Sequence, residues 1–78
     1  MGNDKITFLK EFLIADIIAF IMEDTGAAVG DAMNQFYNSQ VFERLEDAGT
    51  GLYRESSAYV YELYKDECKH GRIVQMEL

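Results

Sequence analysis

The stretch FLIADIIAFIM, which runs from Phe12 to Met22, is the longest apolar segment of the chain. Asp16 is the only charged residue inside it. The segment belongs to a longer pattern that predicts a helix over about residues 4–24. The Thr25-Gly26 pair is a typical helix end, because glycine readily adopts the left-handed conformation that terminates a helix.

This helix is apolar around most of its circumference. On a helical wheel Lys5, Asp16 and Glu23 fall on one narrow polar line, and isoleucine, leucine and phenylalanine cover most of the rest. A helix of this kind must be covered on nearly every side. Two explanations are open: the other helices wrap it completely, or a second copy of the chain covers what they leave. The second explanation predicts a homo-oligomer whose interface contains Ile14, Ile18 and Ile21.

Three further helices are predicted from shorter amphipathic segments, over about residues 27–38, 40–48 and 55–70. Ser39 is the expected N-cap of the short third helix. The Gly-Thr-Gly stretch at 49–51 predicts a sharp reversal before the last helix. The side chains expected to face inward are Val29, Ala32, Met33 and Phe36, then Val41 or Phe42 with Leu45 and Ala48, and finally Val60, Leu63, Tyr64 and Cys68.

One domain is all that 78 residues allow. The chain has no proline, which suits helices joined by short connections. Its hydrophobic content of 49% is that of an ordinary globular protein, so the chain should fold. We therefore expect residues 1–78 to form an all-α fold, a compact bundle of three to four helices with a long apolar N-terminal helix and a loose tail at residues 71–78.

Charge argues against two classes of partner. Seven Lys and Arg against fourteen Asp and Glu give a net charge of -7, which repels both nucleic-acid phosphates and anionic membrane surfaces. The run from Phe12 to Met22 is also shorter than the roughly 20 apolar residues of a membrane-spanning helix.

Cys68 is the only cysteine, so no internal disulfide can form and the reducing cytoplasm is the expected location.

Groups that could carry out catalysis are few. Cys68 and His70 are the only residues of their kinds, and two positions apart on a helix they point in nearly opposite directions, so they cannot act as a pair. The sequence contains no familiar metal-ligand motif and no phosphate-binding glycine pattern. We therefore predict that the protein is not an enzyme, and we expect no catalytic, cofactor-binding or metal-binding residue and no cofactor.

Two acidic features are weaker candidates for a site. Asp16, in the middle of the apolar run, would need a hydrogen-bonding partner if it were buried, and a buried carboxylate can mark a site. The polar line of the wheel instead favours a partly exposed, structural Asp16. Glu43, Glu46 and Asp47 on the third helix could hold a divalent cation loosely, but a solvated acidic surface is the simpler interpretation.

Tyrosines cluster around the last helix, at Tyr53, Tyr59, Tyr61 and Tyr64. Tyrosine is enriched at protein interfaces, where a surface is apolar but still wet. The cluster is therefore either the core and its edge or a second interface. As an interface it would present Tyr59, Tyr61 and Tyr64 to a partner.

Three features together carry a resemblance to a group of known proteins. They are the apolar run from Phe12 to Met22, the spacing of Val29, Met33 and Phe36, and the stretch GLYRESSAYVYELYKDE from Gly51 to Glu67. On these features the chain resembles a family of short bacterial helical proteins of uncharacterised function. The resemblance implies a small helical accessory or partner-binding protein, of a kind that can be encoded beside a larger effector. It assigns no functional residue.

These observations favour a non-enzymatic protein-interaction module that associates with itself, with a protein partner, or with both. An antitoxin-like or inhibitor-like accessory protein is one form of it, because an acidic surface can cover a basic active site. Two other classes are open. A helix-turn-helix DNA-binding regulator would fit the short helices around Ser39, although Arg44 is the only cation on the third helix. A small enzyme or metal-binding protein would need Asp16 or the acidic residues of the third helix to converge with tyrosines.

Overall fold

A computed structural model describes residues 4–70 of the chain, and helices make up nearly all of this part. The α-helices are α1 (Asp4–Thr25), α2 (Val29–Tyr37), α3 (Gln40–Glu46) and α4 (Ser57–His70). Two single turns of 3₁₀ helix, Ala48–Thr50 and Leu52–Arg54, connect α3 to α4. Residues 4–70 contain no strand, so the predicted all-α class is confirmed. The tail predicted to be loose lies outside the described residues.

The end of α1 follows the local signal in the sequence. The Thr25 hydroxyl donates to the carbonyl oxygen of Ile21 at 2.7 Å, and the Gly26 N–H donates to the carbonyl oxygen of Met22 at 2.9 Å. Gly26 has a φ of 76°, a left-handed conformation that glycine adopts without steric cost. These bonds satisfy carbonyls that the helix end would leave unpaired, and they turn the chain toward α2.

The start of α3 is capped twice, once locally and once from a distant helix. Ser39 precedes α3, and its hydroxyl accepts a hydrogen bond from the Phe42 N–H at 3.1 Å, as predicted. The Glu67 carboxylate of α4 accepts from the Gln40 N–H at 2.8 Å and from the Val41 N–H at 3.1 Å. A carboxylate is favourable at the positive end of a helix dipole. Glu67 therefore fixes the short helix α3 against α4.

The core lies between the inner side of α1 and the three shorter helices. Phe36 of α2 is fully buried at its centre, and its ring lies 5.7 Å from the rings of both Phe42 and Tyr64 in edge-to-face arrangements. Such pairs add to the stabilisation from burial alone, by about 0.5–1.5 kcal/mol each. The buried apolar residues are Leu13, Ile17, Ile18, Ile21, Ala32, Phe36, Val41, Leu45, Leu52, Val60, Tyr61, Leu63 and Tyr64.

Two of the side chains predicted to face inward are exposed, so those predictions were wrong. Val29 is 53% exposed because it is the first residue of α2 and lies beside the turn that leaves α1. Cys68 is exposed because it lies one turn beyond Tyr64, the last buried residue of α4. The sequence left either Val41 or Phe42 as the inward-facing residue of α3. Val41 is the one that is fully buried. The side chain of Ala48 lies outside the described part.

The longest helix sets the dimensions of the molecule. With 22 residues, α1 is ~33 Å long, and the longest extent of the protein is 37 Å. The helices α2 and α4 and the second 3₁₀ turn pack against α1, while α3 packs against α2 and α4. Three short elements cannot surround a helix that spans the molecule, so one side of α1 stays uncovered.

Candidate functional site

The uncovered side of α1 is apolar along its midline. Phe8 is 64% exposed and Phe12 is 57% exposed, which is unusual for side chains of this size. Ala15 and Ala19 continue the same line and are also exposed. We call these four residues, Phe8, Phe12, Ala15 and Ala19, the outer face. An apolar face that its own chain leaves in water is typical of a surface that binds another molecule.

Spacing explains why these residues share one side of α1. The steps between them are four, three and four residues, which keeps side chains on a single stripe of a helix. The charged side chains stand at the margins of the stripe, with Glu11 on one margin and Lys5 and Glu23 on the other. An apolar centre with charges only at its rim is the usual composition of a protein interface.

A groove of about 320 Å³ opens beside the outer face. Leu9, Phe12 and Leu13 of α1 form one wall, and residues 53–57 form the other. Gly51, with a φ of 70°, turns the chain so that these residues return to α1. The groove is mostly apolar and Phe12 belongs to its lining, so it extends the apolar surface sideways from the outer face.

Asp16 lies at the margin of this surface and has a structural partner. The Ser57 hydroxyl, in the first turn of α4, donates to Asp16 Oδ2 at 2.5 Å. Asp16 is half-buried, as predicted for a partly exposed, structural residue. Its negative charge next to the N-terminus of α4 also interacts favourably with the helix dipole. The bond therefore joins the middle of α1 to the start of α4 along the edge of the groove.

The interface residues predicted from the sequence lie elsewhere, and most of them are not on the surface. Ile18 and Ile21 are buried in the core, and Ile14 is half-buried against it, because α2 and α4 cover this side of α1. Among the predicted tyrosines, Tyr61 and Tyr64 are also buried in the core, while Tyr59 is 40% exposed on α4. The sequence placed the uncovered apolar side of α1 at Ile18 and Ile21, and this position was wrong. The uncovered apolar side is the outer face.

The outer face was missed because α1 is apolar on almost every side, so a helical wheel does not reveal which side the rest of the chain covers. One signal was available in the sequence. The regular steps of three and four residues through Phe8, Phe12, Ala15 and Ala19 are those of a helix-pairing seam.

The buried tyrosines hold α4 against the end of α1. The Tyr61 hydroxyl donates to Asp24 Oδ2 at 2.6 Å, and its ring packs against Phe20 with 5.1 Å between ring centres. Burial raises the pKa of the Tyr61 phenol well above its ordinary value, and the hydrogen bond to Asp24 raises it further. Burial likewise raises the pKa of Tyr64. Both phenols are therefore protonated parts of the core.

The residues that could carry chemistry are dispersed. Cys68 and His70 are both exposed near the end of α4. Within residues 4–70 no group of three or more His, Cys, Asp or Glu side chains is placed to hold a metal ion. Two acidic residues of the α3 region already have partners, since Asp47 Oδ1 accepts from the Gly49 N–H at 2.9 Å and Glu46 lies 3.5 Å from Lys10 Nζ.

Comparison with protein-family models, with curated proteins and with solved structures gives no match to this chain. The resemblance to a family of short bacterial helical proteins therefore stays a prediction. Among residues 4–70, no helix combines the length and the apolar content that crossing a membrane requires.

Proposed function

We propose that the protein is a non-enzymatic protein-interaction module that binds a protein through the outer face of α1. The observation that carries the proposal is the exposure of Phe8 and Phe12, one helical turn apart on a stripe with no charge at its centre. Fully burying a phenylalanine side chain contributes about 1.5–3 kcal/mol. A partner that covers both rings therefore gains a favourable contribution at the centre of the contact, which its edges must add to.

The rest of the surface supports this choice of face. The exposed residues of α4 include Glu62, Lys65 and Lys69, and those of α3 include Glu43 and Arg44, so both helices present charged side chains to water. Such surfaces contribute little binding energy. Of the five large apolar side chains exposed in the described part, Phe8 and Phe12 are on the outer face beside the groove, and Val29, Tyr37 and Tyr59 are on α2 and α4.

The proposed setting is the reducing cytoplasm, since Cys68 is the only cysteine of the chain. A net charge of -7 would favour partners that carry basic residues around an apolar centre. An antitoxin-like or inhibitor-like role is the form of the proposal that uses such a partner.

Affinity capture from a cell lysate, combined with light scattering of the purified protein, tests this function. The comparison is between the unmodified protein, the double variant Phe8→Ser/Phe12→Ser and the control Val29→Ser, which removes an exposed apolar side chain from α2. We expect stoichiometric association, with itself or with a captured protein, that the double variant loses and the control keeps. A protein that is monomeric at every concentration and retains no partner, or a partner that the double variant retains fully, would contradict the proposal.

A further inference from the structure

We infer that the partner of the outer face is a second copy of this chain, whose α1 pairs with the first in antiparallel orientation. This inference rests on the proposed function and adds the identity and the direction of the partner. It follows from the order of large and small side chains along α1 and from the charges at the two ends of that helix.

In side-chain size, the outer faces of two copies are complementary only when the two helices run in opposite directions. Two phenylalanines occupy its N-terminal half, and two alanines occupy its C-terminal half. When two copies meet head to tail about a twofold axis between Phe12 and Ala15, Phe12 of each copy faces Ala15 of the other. The same axis brings Phe8 opposite Ala19, because both pairs of residues are centred on the same point of α1, between residues 13 and 14. Each exposed ring then packs over a small residue, as close helix pairing requires.

A parallel pair lacks this fit. It would place Phe8 against Phe8 and Phe12 against Phe12, while the facing alanines would leave a gap between the helices. Packing defects of this kind forfeit much of the contact energy that burial would otherwise supply. The alternation of size along the outer face therefore selects the antiparallel arrangement.

Charge at the margin of the outer face selects the same direction. Lys5 stands near the N-terminal end of the stripe and Glu23 near its C-terminal end, on the same margin. Margins of the same kind meet across an antiparallel pair, so Lys5 of one copy lies next to Glu23 of the other. A parallel pair would instead bring opposite margins together and keep Lys5 and Glu23 at opposite ends of the pair, so it lacks this contact. Opposite charges at a rim contribute modestly to affinity but strongly to orientation.

The expected affinity is modest. The pair is formed by little more than one face of one helix from each copy, so it buries much less than the roughly 1,600 Å² of a standard protein interface. Each copy also carries a net charge of -7, and the two copies repel each other at low ionic strength. We therefore expect a reversible dimer with a dissociation constant on the order of micromolar or weaker.

Sedimentation equilibrium of size variants tests whether this face forms the pair. Phe12→Ala should weaken the dimer at least about tenfold, because the lost ring occurs twice in a twofold interface. Ala15→Phe should also weaken it, since Phe12 and the new ring would collide. The double variant Phe12→Ala/Ala15→Phe exchanges the large and small positions and should recover association to within about threefold of the unmodified protein. Circular dichroism checks that each variant remains helical.

Disulfide trapping tests the direction. The background is Cys68→Ser, which removes the natural thiol, and single cysteines are placed at the exposed positions Lys5→Cys and Glu23→Cys. When the two variants are mixed and oxidised, the antiparallel pair predicts a disulfide mainly between position 5 of one chain and position 23 of the other. Peptide mass spectrometry identifies the linked residues.

Three results would overturn the inference. The first is disulfides mainly between identical positions, because these indicate a parallel pair. The second is a size-exchanged variant that associates as weakly as the single variants. The third is a protein that is monomeric at every concentration. A monomer that still captures a foreign protein through Phe8 and Phe12 would remove the second copy as the partner and leave the proposed function standing. Loss of both kinds of association would remove the proposed function as well.

Discussion

Glu67 shows how one side chain can determine where a short helix lies. Its carboxylate accepts hydrogen bonds from two backbone N–H groups at the start of α3, which has only seven residues. An isolated helix of this length is unstable in water, because too few hydrogen bonds repay its nucleation. The cap from α4 and the burial of Val41 and Leu45 therefore hold α3 in place.

Replacing Glu67 should destabilise the fold measurably. We expect Glu67→Ala to lower the free energy of unfolding by about 1–2 kcal/mol, because two helix N–H groups lose their acceptor. The matched control is Glu62→Ala on the same helix, which removes only an exposed contact to Lys65. That control should change the free energy of unfolding by less than about 0.5 kcal/mol. Urea denaturation measures both, and equal losses from the two variants would contradict the role assigned to Glu67.

Tyr61 should make the fold sensitive to alkaline pH. Its pKa is raised in the folded protein above the ordinary value of 10.0, so the folded state holds the phenol proton more tightly than the unfolded chain does. The stabilisation is therefore fully present below about pH 10 and is lost as the pH rises above it. Tyr64 adds to this dependence in the same direction.

The variant Tyr61→Phe tests this linkage, because it removes the titrating group and keeps the ring. We expect the variant to be less stable at pH 7, since the hydrogen bond to Asp24 is lost. Its free energy of unfolding should fall less steeply than that of the unmodified protein between about pH 9 and 11. If the free energy of unfolding of the two proteins changed equally with pH over this range, Tyr61 would not be the source of the alkaline sensitivity.

The elements of the fold differ in how far the sequence predicts them. The ends of α1 and α3 follow from local signals, Gly26 and Ser39, that act within one turn of the helix. The bond from Glu67 to α3 spans 26–27 residues, and that from Ser57 to Asp16 spans 41. No local pattern encodes such pairs. The uncovered side of α1 depends on where the other helices pack, which the nearly uniform apolar wheel of α1 does not specify.

The contact between Asp16 and Ser57 should couple α1 to α4. In a double-mutant cycle with Asp16→Ala and Ser57→Ala, we expect a coupling free energy of about 1 kcal/mol, since one partner is a carboxylate. Ser56 gives a matched comparison, because its hydroxyl caps α4 by accepting from the Tyr59 N–H at 3.2 Å. A cycle of Asp16→Ala with Ser56→Ala should be close to additive. Equal coupling in both cycles would show that the effect belongs to the helix start and not to the Asp16 bond.

At the scale of the whole molecule, the geometry of α1 connects the fold to its proposed use. A helix nearly as long as the protein is covered on one side by three shorter elements, and its other side carries the exposed Phe8 and Phe12. The monomer buries Ile17 and Ile21 fully, so its core does not depend on a partner. Association through the outer face therefore adds to a fold that is already formed.

Net charge predicts how salt affects this association. Two copies that each carry a charge of -7 repel one another, and salt screens that repulsion. The apolar contact between the outer faces does not weaken with salt, and the two rim pairs of Lys5 with Glu23 contribute little. A homodimer should therefore become tighter as salt is added, whereas a complex with a basic partner should become weaker.

Sedimentation equilibrium of the unmodified protein, over about 5–500 µM protein and about 0.05–0.5 M salt, tests whether the protein pairs with itself. We predict a mass that rises with concentration from the monomer value of 8.9 kDa toward twice that value, and a dissociation constant that falls as salt is added. A mass of 8.9 kDa at every concentration and salt would contradict pairing through the outer face of α1.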